Sequence, residues 1–215
     1  MSEYINQINL DALSKLLTPD YKNISIIAFG KRGIILKAKK NNLDVAIKML
    51  RPESEAKNAL VLEAKYLSEV NKLNIGPKLI EATEKFVTME FIEGERINEW
   101  ISTSTKDEIL GMLTVLFYQL FKLDKSELNK SEMTNPYKHI IIKKDLMPVM
   151  IDFERMRFSL KPQNITQFAQ YLTSGTILPK LQEKNILLNI QEFKEAIRTY
   201  SKSRKEFPII DFLTN

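Results

Sequence analysis

The chain has no cysteine, and only one histidine, among its 215 residues. Without thiols it can form neither a disulfide nor a thiolate zinc site. No apolar run approaches the ~20 residues that a membrane span requires, so no membrane partner is expected. The opening, "MSEYINQINLDALSKLL", has an acidic residue early and no basic stretch ahead of an apolar block. That is not the pattern of a signal peptide, and a soluble cytoplasmic protein is expected. There is no internal repeat, no low-complexity linker, and no RRM or KH signature.

What is present is enough apolar residue, 44%, to bury a real core. The length suits one large domain or two small lobes sharing a cleft. A formal charge of +5 attracts polyanions such as nucleic acid or phosphorylated ligands. Abundant Lys, Glu and Ile without Cys point toward a heat-adapted source, against which the many Asn residues count.

A short amphipathic helix over 10–17 precedes the turn signal "TPDY". Strands are expected in "NISIIAFG", "GIILKAKK" and "LDVAIKML", the last two separated by the turn "NN". Pro52 and the acidic residues after it predict a long helix over 52–73, ending before Gly76-Pro77. "KLIEAT" and "KFVTMEFI" are two further strands, closing an N-terminal domain over residues 1–93. Residues 94–215 form the second domain. There "STKDEILGMLTVLFYQLFKLDKS" is a capped, buried helix, and "NPYKHIIIKKDLMPVMIDFER" holds two short strands. "PQNITQFAQYL" and "NIQEFKEAIRTYSKSRKE" read as helices. A mostly antiparallel sheet with one helix, followed by a mostly helical half, is an α+β layout.

Several residues sit oddly for purely structural roles. Leu60, Ala64 and Leu67 define the inward face of the 52–73 helix, and Glu63 lies on that face. A carboxylate there is costly unless a cation pairs with it. In "VAIK", alternation puts Val45 and Ile47 on one side and Lys48 on the other, making Lys48 the candidate partner. The alternative is a solvated lysine and a tolerated edge charge. Gly30 and Gly33, in "FGKRG", let a backbone approach a phosphate closely, though such glycines also serve ordinary turns. In "VMIDFER", Asp152 and Glu154 point the same way if the chain stays extended, and two such oxygens suit Mg²⁺. The competing reading is a strand-end turn with Arg155 pairing Glu154.

Taken in order, these pieces resemble the protein-kinase-like fold, especially its small atypical members, the RIO and Bud32 kinases. "GKRG" looks like a shortened glycine-rich loop (Gly30, Lys31, Gly33), and Lys48 matches the phosphate-binding lysine of the third strand. Glu63 in "LEAKYL" matches the paired helix glutamate. "MEFIEG" resembles the hinge, which implies that backbone groups of Glu90, Phe91 and Ile92 hold adenine. "IDFE" stands where "DFG" would be, implying Asp152, with Glu154, as the metal site. The resemblance, over residues 25–172, implies a two-lobed α+β kinase-like fold using ATP and Mg²⁺.

The departures shape the functional expectation. Aligning on the strand puts His139 at the Asn position of the usual catalytic loop and Thr134 where its Asp belongs. No Asp lies between Asp124 and Asp145, so Glu132 or a shifted loop would have to supply a base. Phosphoryl transfer depends more on positioning and charge neutralisation than on proton removal. Lys138 could then contact the γ-phosphate, with His139 a donor to phosphate or to loop backbone. There is no long activation segment and no "APE" motif after Asp152. "EMTNPYKHIII…MIDFER" is similar to an archaeal family of predicted serine/threonine kinases that includes a tRNA kinase. That resemblance implies transfer to a ribose 2′-hydroxyl of tRNA; the sequence leaves the oligomeric state open, with a monomer favoured. A serine/threonine protein kinase, autophosphorylating or not, and a pseudokinase scaffold are the alternatives. Candidate RNA contacts are Lys143, Lys144, Arg155, Arg157 and Lys161, with a second stripe of Lys194, Arg198, Lys202 and Lys205. This stripe runs beside the apolar positions Ile190, Phe193, Ile197 and Tyr200.

Overall fold

The computed structural model describes residues 17, 20–30, 33–51 and 58–204. The helix expected over 10–17, the start of the one expected over 52–73, and Lys31 and Lys205 lie outside them, apart from Leu17 itself. The chain divides into two compact units, one of residues 1–64 and 78–91 and the other of residues 65–77 and 92–215. Helix α1 (Ala59–Asn71) contributes residues to both.

The first unit is built on an antiparallel sheet of order β1-β2-β3-β5-β4, comprising β1 (Tyr21–Phe29), β2 (Gly33–Lys40), β3 (Leu43–Leu50), β4 (Leu79–Ala82) and β5 (Phe86–Glu90). Asn41 and Asn42, both at positive φ, form the two-residue loop that fixes the β2–β3 register, Lys40 opposite Leu43. Alternation then sends Ile34, Leu36 and Ala38 of β2, and Val45, Ile47 and Met49 of β3, into one core with Leu17, Tyr21 and Phe86. Each large aliphatic side chain buried there contributes about 1.5–3 kcal/mol relative to exposure. The same alternation places Lys48 on the other face.

The edges of the sheet are tied by polar contacts. The Tyr21 hydroxyl donates to Glu81 Oε2 at 2.9 Å and lies 2.8 Å from Thr88 Oγ1, and Lys40 bonds both Tyr21 and Glu81. The Lys40 ammonium holds the Glu81 carboxyl below its ordinary value, while burial pushes the Tyr21 phenol up.

The second unit is led by the 20-residue helix α3 (Lys106–Lys125), whose Thr105–Glu108 capping box is complete. Before it come β6 (Gly94–Arg96) and α2 (Ile97–Thr103); after it come β7 (Leu128–Asn129) and two short 3₁₀ turns, Ser131–Thr134 and Pro136–Lys138. Strands β8 (Ile140–Lys143) and β9 (Pro148–Met150) join β6 in a sheet of order β6-β8-β9, and β10 (Arg157–Phe158) pairs with β7. Helices α4 (Asn164–Leu172), α5 (Leu178–Glu183) and α6 (Ile190–Ser203) complete the unit. Phe117 of α3 meets Phe168 of α4 edge-on at 5.2 Å. Phe193, Ile197 and Tyr200 of α6 are buried, Ile190 is half-buried, and Lys194, Arg198 and Lys202 are in water.

Five strands and helices of this unit were not anticipated. The N-cap residues of α2 (Arg96) and α5 (Ile177) make no side-chain capping bond. Strand β6 has only three residues. Strands β7 and β10 are two residues each, too short for any alternation to register.

Candidate functional site

In the first unit, Lys48 projects from the face of β3 opposite the core, and its Nζ donates to Glu63 Oε2 at 2.9 Å. Glu63 is 1% exposed and the lysine side chain 14%. Removing both charges from water is tolerable only because each offsets the other. The pair that the α1 face and the β3 alternation suggest is therefore formed, and a site close to Lys48 would meet a fixed ammonium rather than a mobile one.

The other expectations for this unit meet specific constraints. Gly30 N donates to Gly33 O at 2.9 Å, closing the turn between β1 and β2. A Cβ on Gly33 would lie 2.6 Å from Met49 O, so strand packing alone already demands glycine there. At the hinge, Glu90 N donates to Lys78 O at 2.8 Å and Phe91 N to Asp44 O at 3.2 Å. Both of these N–H groups are therefore already engaged within the fold. The Phe91 ring carries the Lys37 ammonium over its face, 4.0 Å from the centroid.

In the second unit, Ile140 pairs with Met150, and Ile151 N donates to His139 O at 2.9 Å. The ladder ends there, because Asp152 adopts φ 65. The chain does not stay extended across "IDFE", which corrects the reason given for the two carboxylates converging. They converge nonetheless, with ligand oxygens of Asp152 and Glu154 within 4.8 Å of each other. The turn at Asp152 does what strand alternation was expected to do. Arg155 is exposed and forms no ion pair with Glu154. Two carboxylate oxygens brought this near each other are of the donor type that Mg²⁺ takes.

His139 Nδ1 lies 3.8 Å from Asp152 Oδ2 and has no hydrogen-bond partner. Burial lowers its pKa first, and the neighbouring Lys130 charge lowers it further, against the opposing pull of Asp152 and Glu132. Burial and the Lys130 charge both favour the neutral imidazole. Lys138 is exposed, and its carbonyl accepts from the Arg96 guanidinium. Glu132 is 3.4 Å from Lys130 Nζ, and Thr134 is exposed at the end of its 3₁₀ turn.

Lys130 is the residue that sequence reasoning missed. It is 0% exposed, its Nζ donates to the carbonyl of Asp152, and it stands 4.9 Å over the Phe153 ring. Its own N–H is held by Asn164 Oδ1 at 2.8 Å. Asn164 in turn donates to Asp124 Oδ1 at 2.7 Å and to Leu128 O at 2.6 Å, and Tyr200 donates to Asp124 Oδ2 at 2.8 Å. A buried polar chain thus runs from the end of α3, through α4 and β7, to the backbone of the turn that aims Asp152.

Of the candidate RNA contacts, Lys143 pairs with Asp145 at 3.0 Å and Arg198 with Glu195 at 3.2 Å. Lys144, Arg155, Arg157, Lys161, Lys194 and Lys202 are exposed. Among the described residues no helix is long and apolar enough to cross a membrane.

No family model matches the chain, and no curated protein matches it. Among solved structures it is similar to the Rio2 kinase from Chaetomium thermophilum, with a TM-score of 0.61 at 12% identity over 86% of this chain. The chain spans 66% of that kinase's length. The fold is kinase-like.

Proposed function

We propose that the protein is an ATP- and Mg²⁺-dependent kinase that transfers the γ-phosphoryl group to a ribose 2′-hydroxyl of RNA, with tRNA the favoured substrate. The observation that carries this reading is the buried Lys48–Glu63 pair, set on the third strand of a kinase-like sheet. A lysine held by a buried glutamate presents a fixed positive charge, which is what the inner phosphates of a nucleotide require. Asp152, with Glu154, would hold the cation, which supplies charge neutralisation at the phosphates.

The remaining groups act by position. Lys138, on a short turn anchored by Arg96, is free to follow the transferred group. In the reaction the bond from the γ-phosphorus to the β,γ-bridging oxygen breaks and a bond to the acceptor oxygen forms. The hydroxyl proton leaves with the solvent or the phosphoryl group, since a loose transition state needs little help from a strong base. That is consistent with a loop holding Thr134 where the usual Asp would stand. Support for RNA as acceptor comes from the +5 charge, the exposed cations after Asp152 and the absence of a long peptide-docking segment.

The test is transfer of label from γ-labelled ATP to whole-cell RNA and, separately, to protein. Transfer to RNA that disappears in Lys48→Ala and Asp152→Ala supports the proposal. Label only in protein makes the chain a serine/threonine protein kinase. No label in either, with partner binding intact in both variants, makes it a pseudokinase scaffold, a reading that the missing loop Asp favours.

A further inference from the structure

The segment directly after the Asp152 turn reads Arg155-Met156-Arg157-Phe158-Ser159-Leu160-Lys161. Met156 is buried and anchors it, and its N–H donates to Phe153 O at 3.0 Å. Arg157 and Phe158 then pair with Asn129 and Leu128, and Ser159 N extends the ladder to Glu127 O at 2.8 Å. The segment is therefore held as a ribbon, yet Phe158 is 63% exposed and Leu160 82%. Two large apolar side chains two residues apart thus form an exposed apolar patch in water, which costs free energy unless something covers it.

The surrounding charge indicates what covers it. Arg155, Arg157 and Lys161 are exposed and make no ion pair among the described residues. Arg204 adds a fourth cation, its Nη1 donating to Leu160 O at 3.3 Å. Against these stand the exposed Glu127 carboxylate and Glu154, whose carboxylate converges on Asp152, fewer anions than cations. An aromatic face flanked by unpaired cations suits a ligand with flat rings and regularly spaced negative charges. A base-paired A-form helix offers no accessible ring face, whereas an unstacked nucleotide does.

We propose that the β7–β10 ribbon is a landing surface for the RNA substrate, with an unpaired base stacked on Phe158 beside Leu160 and the flanking phosphates on Arg155, Arg157 and Lys161. This rests on RNA being the acceptor, and it specifies that the recognised nucleotide is unpaired.

The experiment measures binding of an end-labelled single-stranded oligoribonucleotide to the full chain over a range of salt, with heparin as a polyanion that has no bases. Phe158→Ala weakens oligoribonucleotide binding about tenfold, leaves the salt slope and heparin affinity unchanged, and Phe158→Tyr restores binding. Arg157→Gln weakens both ligands and reduces the salt slope by about 0.7–1. Unchanged RNA binding in Phe158→Ala overturns the proposal, as does an equal loss of heparin binding. A raised KM for a phosphorylated protein, with RNA binding unmoved, also overturns it by assigning the surface to a protein partner. If the unaltered protein phosphorylates RNA and Phe158→Ala does so with the same KM, the landing surface is wrong while the kinase reading stands. If RNA binds through Phe158 but receives no phosphate, the landing surface stands and the kinase reading fails.

Discussion

Asn164→Ala should be among the most destabilising single changes in the second unit. Asn164 is wholly buried, and its side chain makes three hydrogen bonds, two donated to Asp124 and Leu128 and one accepted from Lys130 N. Alanine removes all three and strands Lys130 N–H and Leu128 O, each costing about 1–3 kcal/mol when left without a partner, while Asp124 Oδ1 keeps the Asn164 backbone N–H at 3.0 Å. At the lower end this is ~2 kcal/mol, and the small cavity adds to it, for an expected loss of about 2–5 kcal/mol. A typical domain has only about 5–15 kcal/mol to lose. Asn164→Asp separates hydrogen bonding from packing, because it keeps the shape but turns the amide nitrogen into an oxygen facing the Leu128 carbonyl and the Asp124 carboxylate. It should cost at least as much as alanine. The assay is urea unfolding followed by the fluorescence of Trp100, the single tryptophan, which is buried in the same unit. With a slope of about 1–3 kcal/mol per molar, the midpoint should fall by roughly 1–3 M. A loss below about 1 kcal/mol for alanine, or an aspartate variant milder than the alanine one, would refute the reasoning.

Two further predictions concern pH. Burial pushes the Tyr171 and Tyr200 phenols well above the ordinary value of 10, with the Asp124 carboxylate adding to the effect at Tyr200. The unfolded chain ionises these groups near pH 10 while the folded chain keeps the protons, so their contribution is intact below pH 10 and is lost as pH rises further. Tyr200→Phe should flatten that alkaline fall in the urea midpoint; an unchanged fall would count against the buried phenol. His139 is the only imidazole, so its ring protons can be followed directly by NMR. Its folded pKa lies below the ordinary 6.5, chiefly through burial, so its contribution is present above 6.5 and is lost as pH falls. Lys130→Met should move the titration upward and Asp152→Asn downward; a midpoint at or above 6.5 in the unaltered protein would contradict the geometry.

The sheet could be read from the sequence because its strands alternate and its hairpin carries Asn-Asn, so pattern and turn agree. Helix α3 was legible for a similar reason, its capping box being local. Glu63 stood out because a carboxylate contradicts the apolar face it lies on, Lys48 was the cation at hand to offset it, and the structure joins them. The Asp124–Asn164–Lys130 network gave no such signal. Its members lie 34 to 76 residues from their partners, and each occupies a position where a polar residue looks unremarkable locally. The expected hinge is a different case. Its strand was found, but whether the N–H groups of Glu90 and Phe91 are free depends on Lys78 and Asp44, which only the folded register brings opposite them.

The geometry at Asp152 allows backbone and chemistry to be tested apart. A left-handed residue costs little for Asp or Asn, whose short polar side chains tolerate that region, and more for a β-branched residue. Asp152 is held there by Lys130 at its own carbonyl and by Phe153, which is fully buried against Gly76; a Cβ on Gly76 would meet that ring at 2.8 Å. The turn is therefore imposed by its neighbours, and the side chain must accept it. Asp152→Asn keeps both the shape and the tolerance, so it should unfold within about 1 kcal/mol of the unaltered protein while losing cation-dependent turnover. Asp152→Val should lose turnover and a further ~1–2 kcal/mol of stability, because valine cannot relax out of a conformation that Lys130 and Phe153 enforce. If valine proves as stable as asparagine by Trp100 fluorescence, the turn is free to relax, and the aim of the Asp152 carboxylate is not set by the backbone.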